Sequence, residues 1–178
     1  LDPATTEASM AMDSDEIGLA VVRNALEHAG HDVLTAANGE EALDVLRRED
    51  VRLVITDWEM PILDGIELTR MIRQPTSNSN PYVPIIMVSA HSEMRRVKEA
   101  RDAGVTEFLV KPISAKSLYQ RVLNTVANPR PFVRTANYFG PDRRRAQAAD
   151  YAGPERRKSG GADLVKPQII TKQSPEKD

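Results

Sequence analysis

Three short, almost wholly apolar runs constrain this chain most: Leu53-Val54-Ile55-Thr56, Ile85-Ile86-Met87-Val88 and Phe108-Leu109-Val110. A polar residue follows each run at once or within one turn of chain: Asp57, Ser89 and Lys111. Short runs without alternation belong to strands covered on both faces, as in parallel sheets. A parallel pair needs a long crossover between its strands, and the intervals here carry helical spacing of apolar residues. Strand and helix alternate repeatedly, which predicts an α/β fold: a doubly wound parallel sheet with helices on both faces.

The helical segments are legible individually. Asp13-Ser14-Asp15 offers caps for a helix in which Val22, Ala25, Leu26 and Ala29 share a face, and Gly30 stops it. A short strand is expected around Val33 and Leu34. After the Asn38-Gly39 turn, Glu40–Arg48 reads as an amphipathic helix with Ala42, Leu43 and Leu46 inward. Pro61 and Gly65 punctuate a loop before a helix over Ile66–Arg73. Gln74–Pro84 is loop by composition and falls at the amino edge of the sheet. Ser92 is expected to cap a helix ending near Ala103, stopped by Gly104. Ser114 is expected to cap a last helix to about Ala127, with Leu118, Val122 and Val126 inward. Pro129 and Pro131 end it.

In open parallel sheets, ligands sit outside the carboxyl ends of the strands. Asp57, Ser89 and Lys111 occupy those ends, so neighbouring strands would bring an acid, a hydroxyl and an amine to one crevice. A carboxylate can attack phosphorus and form an aspartyl phosphate. A lysine ammonium pairs with phosphoryl oxygens as a compact charge. A hydroxyl donates to another oxygen, and a hard cation such as Mg²⁺ offsets the remaining charge. The alternative is three unrelated strand-end polar residues, and spacing alone leaves both open.

Composition narrows the chemistry. The chain has no cysteine, which removes disulfides, thiolate catalysis and Cys-based zinc sites. The three histidines, His28, His31 and His91, are too scattered to suggest a His-rich metal site. No apolar run approaches the ~20 residues of a membrane span, so a cytoplasmic protein is the default expectation. Charge is uneven: residues 1–128 hold 13 Lys+Arg against 20 Asp+Glu, whereas residues 129–178 hold 11 against 6. The second segment also carries six of the twelve prolines and lacks sustained apolar periodicity. It is expected to be a largely disordered basic tail. Within it, Tyr138-Phe139-Gly140-Pro141-Asp142-Arg143-Arg144-Arg145 recurs thirteen residues on as Tyr151-Ala152-Gly153-Pro154-Glu155-Arg156-Arg157-Lys158. Two copies are too few and too short for a solenoid. Gly-Pro before an acid and paired arginines suggests a turn that presents guanidinium groups to carboxylates or phosphates. Each basic cluster is small and has an acid beside it, which favours a protein partner and makes nucleic acid unlikely.

Several motifs together resemble the receiver domain of two-component response regulators. They are Gly30-His31-Asp32-Val33, Ala37-Asn38-Gly39-Glu40-Glu41-Ala42-Leu43, Ile55-Thr56-Asp57-Trp58-Glu59-Met60-Pro61 with Asp64-Gly65, Val88-Ser89-Ala90, Gly104-Val105 and Lys111-Pro112. The resemblance covers about residues 13–127. It implies a CheY-like, flavodoxin-like sheet of order 2-1-3-4-5, with an irregular N-terminus over 1–7, a receiver domain over 8–128 and the tail beyond. It implies that Asp57 accepts a phosphoryl group from a sensor histidine kinase or phosphotransfer protein. Ser89 would be the switch hydroxyl, Phe108 the coupled aromatic, and Lys111 the phosphoryl contact, with a cis bond into Pro112. Mg²⁺ would be held by Asp13, Asp57 and the backbone carbonyl of Glu59. Output would pass to a downstream target protein, without a DNA-binding output domain and without enzymatic turnover beyond autodephosphorylation.

Two departures stand out. The first strand is expected to be weak or missing, because Ala8-Ser9-Met10-Ala11-Met12 has small residues and no β-branched one. The usual acidic pair aligns with Asp13-Ser14, so one acid is replaced by serine; Asp15 or Glu16 would substitute if the loop shifts. Trp58 and Glu59 are expected to rim the crevice, and His91 to lie in a solvated loop beside it. Three other readings compete. One is a degenerate scaffold that binds partners through its tail without phosphorylation. Another is an aspartate-nucleophile phosphohydrolase, for which Glu59 stands where a second Asp is wanted. The last is a DNA-binding role for the tail, which would show steep salt dependence.

Overall fold

The computed structural model describes residues 8–12, 16–28, 30–74, 80–143 and 163–165. The chain runs β1 (Ala8–Met12), α1 (Glu16–His28), β2 (Asp32–Thr35), α2 (Gly39–Arg48), β3 (Leu53–Asp57), α3 (Gly65–Arg73) and β4 (Ile85–Ser89). It continues through α4 (Met94–Ala103), β5 (Glu107–Val110) and α5 (Ala115–Ala127) to β6 (Phe132–Thr135), β7 (Tyr138–Pro141) and β8 (Asp163–Val165). The first five strands form a parallel sheet of order β2-β1-β3-β4-β5. This is the CheY-like order expected from the resemblance.

Helices cover both faces, as the buried apolar runs require. On one face, Met10, Val54 and Ile85 pack with Ala42, Leu43 and Leu46 of α2 and Leu68 and Ile72 of α3. On the other, Ala11, Ile55, Ile86 and Val88 pack with Val22, Ala25 and Leu26 of α1 and Leu118 and Val122 of α5. The strands β3 and β4 are buried at every position. That is the physical reason their sequences do not alternate.

The first strand corrects an expectation. It is neither weak nor missing: it pairs in parallel with both β2 and β3. Ser9, Met10 and Ala11 are fully buried. Main-chain pairing on both edges supplies what side-chain propensity lacks, and small residues admit closely packed helices. Buried Ser9 is hydrogen-bonded through its hydroxyl to His31 Nδ1 at 3.0 Å.

Smaller corrections concern helix ends and faces. Glu93, not Ser92, precedes α4, and no side chain caps it. Ser114 does cap α5, accepting from the Ser117 N–H at 3.1 Å. On α5, Val126 is exposed while Thr125 is buried. The Thr125 hydroxyl donates to the Arg121 carbonyl, which makes burial tolerable. Ala29 lies outside the described residues.

The expectation of a largely irregular segment after residue 128 narrows. β6 and β7 form an antiparallel hairpin, and β8 pairs with the other edge of β6. Phe132 is buried. Four-residue strands carry too little alternation to register as periodicity in a Pro-rich sequence. The second repeat, Tyr151–Lys158, lies outside the described residues, as do residues 1–7.

Candidate functional site

Asp57, Ser89 and Lys111 end three adjacent strands, and the register sets them side by side. Asp57 pairs with Val88 across β3 and β4, and Ser89 pairs with Val110 across β4 and β5. Backbone bonds carry the pairing one step further: the Trp58 N–H donates to Val88 O at 2.9 Å and the Lys111 N–H to Ser89 O at 2.8 Å. The Lys111 ammonium then donates to Asp57 Oδ2 at 3.1 Å. The Asp57 side chain is only 6% exposed, against 24% for Lys111. A carboxylate that far from water needs a partner, and the ammonium is one. The Lys111-Pro112 bond is cis, as the resemblance implied.

Asp57 is held from behind. The Thr56 hydroxyl donates to its carbonyl at 2.9 Å. Gly65, the first residue of α3, lies so close that a Cβ there would sit 2.2 Å from the same carbonyl oxygen. Only glycine permits this approach. Asp64 closes α3 with a capping box to Glu67, which fixes the end of the loop over 58–64. In that loop the exposed, β-branched Ile62 has φ 70°, a strained left-handed conformation.

Ser89 Oγ accepts from the His91 N–H at 3.1 Å, so its own proton remains available to donate elsewhere. Phe108, one residue into β5, meets Trp58 edge-on with centroids 6.3 Å apart. Trp58 corrects an expectation: it does not rim the crevice but is buried with Ile66, Met87 and Ala100. Its large ring fills the space between α3 and α4. Arg96, on the first turn of α4, lies over that ring at 4.9 Å.

Glu59 does rim the site. Its carboxylate is exposed and lies 2.9 Å from His91 Nε2 and 3.9 Å from Arg96 Nη1. His91 is therefore tied down on the crevice rim rather than a plain loop residue. Its second nitrogen lies 3.7 Å from Glu93. Sequence reading missed this cluster, because Glu59 is far in the chain from His91, Glu93 and Arg96. Asp13, Ser14 and Asp15 lie outside the described residues.

A parallel sheet of this order, with an acid paired to an ammonium at its carboxyl end and a hydroxyl on the strand between, defines a receiver domain. The comparisons agree: the response regulator receiver domain model matches residues 10–123, and the chain belongs to that family. A chemotaxis protein CheY homolog of Campylobacter jejuni is 36% identical over 115 residues, which span 64% of this chain and 87% of that protein. The crystal structure of a putative response regulator from Chloroflexus aurantiacus superposes with a TM-score of 0.64 at 28% identity, over 70% of this chain and all of that one. The receiver domain of a Pseudomonas aeruginosa sensor histidine kinase, with a magnesium ion coordinated in its active site cleft, gives a TM-score of 0.59 at 26% identity, over 67% and 96% of the two chains.

Receiver domains bind Mg²⁺ in the active site, and the donor chemistry here fits. Asp57 presents a buried carboxylate, and the Glu59 backbone carbonyl belongs to the same turn. Mg²⁺ commonly takes one or two carboxylates and completes its shell with water and substrate phosphate. Among the described residues, no group of three His, Asp or Glu side chains forms a metal cage. Among those residues, too, no helix is long and apolar enough to cross a membrane.

Proposed function

We propose that this chain is a response regulator whose Asp57 accepts a phosphoryl group from a sensor histidine kinase or phosphotransfer protein. The observation that carries the reading is the 3.1 Å pair between Lys111 Nζ and Asp57 Oδ2, across the ends of β5 and β3 with β4 between them. A carboxylate oxygen of Asp57 attacks the phosphorus of a phosphohistidine. The P–N bond breaks, the imidazole takes up a proton, and an acyl phosphate forms. Lys111 then exchanges its carboxylate partner for a phosphoryl oxygen without leaving its place. The Ser89 hydroxyl proton donates to a second oxygen, and Phe108 follows the Ser89 side chain. Asp57, the Glu59 carbonyl and Asp13 would hold Mg²⁺, which would offset phosphoryl charge.

The chain is a phosphoacceptor rather than a turnover enzyme. It signals in the cytoplasm through contacts with a downstream protein. The decisive experiment is incubation of the intact protein with a small phosphodonor and Mg²⁺, followed by intact mass. Stoichiometric uptake that Asp57→Asn abolishes supports the reading. No uptake with any donor sinks it and favours the phosphorylation-independent scaffold.

A further inference from the structure

At the amino end of the sheet, opposite Asp57, the β6–β7 hairpin docks on a corner made by the ends of α3 and α4. Arg73, the last residue of α3, is buried there. Its Nε donates to Gly104 O at 3.0 Å, and its Nη1 donates to Pro81 O at 2.7 Å and Val83 O at 2.8 Å. Its Nη2 meets no hydrogen-bond acceptor among the described residues. Phe132 of the hairpin covers the guanidinium instead, 5.1 Å from ring centroid to carbon. Burial pushes the Arg73 pKa below the usual arginine range. Tyr82, Phe132 and Phe139 then form an aromatic cluster with centroids 5.1 to 5.5 Å apart.

Four positions that the two repeats share, Tyr138, Gly140, Pro141 and Arg143, act at this corner. The Tyr138 hydroxyl donates to Pro141 O at 2.9 Å, linking the two ends of β7. A Cβ on Gly140 would lie 2.6 Å from that hydroxyl and 3.0 Å from Gly104 Cα. Glycine is thus needed for the hairpin to reach the α4–β5 turn. Arg143 lies over the Tyr138 ring at 4.1 Å and pairs with Asp102 near the end of α4 at 3.0 Å.

One helix joins this corner to the phosphoacceptor crevice. The first turn of α4 carries Arg96, bound to Trp58 and Glu59 immediately after Asp57. The loop before α4 is pinned by the His91 N–H on Ser89 Oγ and by His91 on Glu59. The last turn of α4 carries Asp102, with Gly104 as its cap. A phosphoryl group of about two negative charges at Asp57 would offer the Ser89 hydroxyl an acceptor and compete with Glu59 for Arg96. Both changes act on the amino end of α4. A ten-residue helix moves largely as a unit, so its far end shifts against α3, where Arg73 and the hairpin tie the two helices together.

We propose that this corner is a docking surface whose occupant is the chain's own β6–β7 hairpin, and that its occupancy is linked to the state of Asp57. The hairpin docks on the unphosphorylated arrangement and loosens on phosphorylation, exposing Tyr82 and Arg73. Linkage makes the effect reciprocal: loosening the hairpin favours phosphorylation by the same factor. The inference rests on Asp57 being the phosphoacceptor.

The test is hydrogen exchange over residues 132–143 of the intact protein, with Mg²⁺ and with or without acetyl phosphate, phosphorylation being scored on the same samples by intact mass. The expected result is exchange at least about fivefold faster in the phosphorylated protein, and no change in Asp57→Asn. In the reverse direction, Arg143→Gln should loosen the hairpin and raise the phosphorylated fraction at limiting donor. Full phosphorylation with unchanged exchange overturns this inference and leaves the phosphoacceptor reading standing. A loosened hairpin in Arg143→Gln with an unchanged phosphorylated fraction overturns it too. No phosphoryl uptake by any donor overturns both.

Discussion

Each end of the sheet draws a cation into the protein, Lys111 at one and Arg73 at the other, and the two are held differently. At the carboxyl end, Lys111 faces a charged partner, Asp57, and keeps some contact with solvent. At the amino end, Arg73 faces neutral carbonyls and an aromatic ring and is almost wholly enclosed. A strong charge partner at a crevice can be exchanged for another anion. Three main-chain acceptors fixed by two different segments cannot be exchanged without moving those segments. The first arrangement suits chemistry; the second suits holding elements together. Lysine and arginine are distributed accordingly, the point charge at the exchangeable site and the forked donor at the fixed one.

The largest expected effect probes the exchangeable site. Lys111→Ala should slow phosphoryl uptake from a small donor on the order of a hundredfold. Hydrogen exchange in the β6–β7 hairpin of the unphosphorylated protein should be unaffected. Equal loss of uptake and of hairpin protection would erase the distinction between the two ends. Next, Phe132→Ala should cost about 3–5 kcal/mol in urea denaturation, the usual range for a buried phenylalanine. A loss under about 1 kcal/mol would make the hairpin an ornament on the receiver rather than part of its fold. The smallest effect sharpens the picture of the crevice loop. Ile62→Gly, which relieves the positive φ at an exposed position, should change stability by about 1 kcal/mol or less in the stabilising direction. A clear destabilisation would show that the Ile62 side chain holds the loop in place.

The carboxyl end was legible in the sequence and the amino end was not, for a physical reason. Buried parallel strands announce themselves as apolar runs, and the residue that stops each run falls at the ligand-binding edge. Asp57 and Ser89 could therefore be picked out one strand at a time; the run before Lys111 reads the same way, yet β5 is an edge strand, half-buried and with Val110 exposed, so the expectation of cover on both faces is corrected there. The Arg73 corner depends on partners from α3, the loop before β4, the α4–β5 turn and the hairpin, and no local pattern joins them. An arginine at the end of an amphipathic helix reads as a favourable surface charge, not as a buried one. The repeat Y-x-G-P-acid-R-R was visible, but its work became clear only with Gly104 and Asp102 beside it. Ser9, Met10 and Ala11 misled in the opposite sense. Judged by side-chain propensity they make a poor strand, yet neighbours on both edges pair with them and bury them completely.

The central claim is that one phosphorus atom is received at Asp57, between Lys111 and Ser89. Reductive trapping tests it most directly, because borohydride converts an aspartyl phosphate to homoserine and marks the residue permanently. After phosphorylation with Mg²⁺ and a small donor, peptide mapping should find homoserine at position 57 and at no other acid. Homoserine at Asp64 or elsewhere, with Asp57 intact, would contradict the claim.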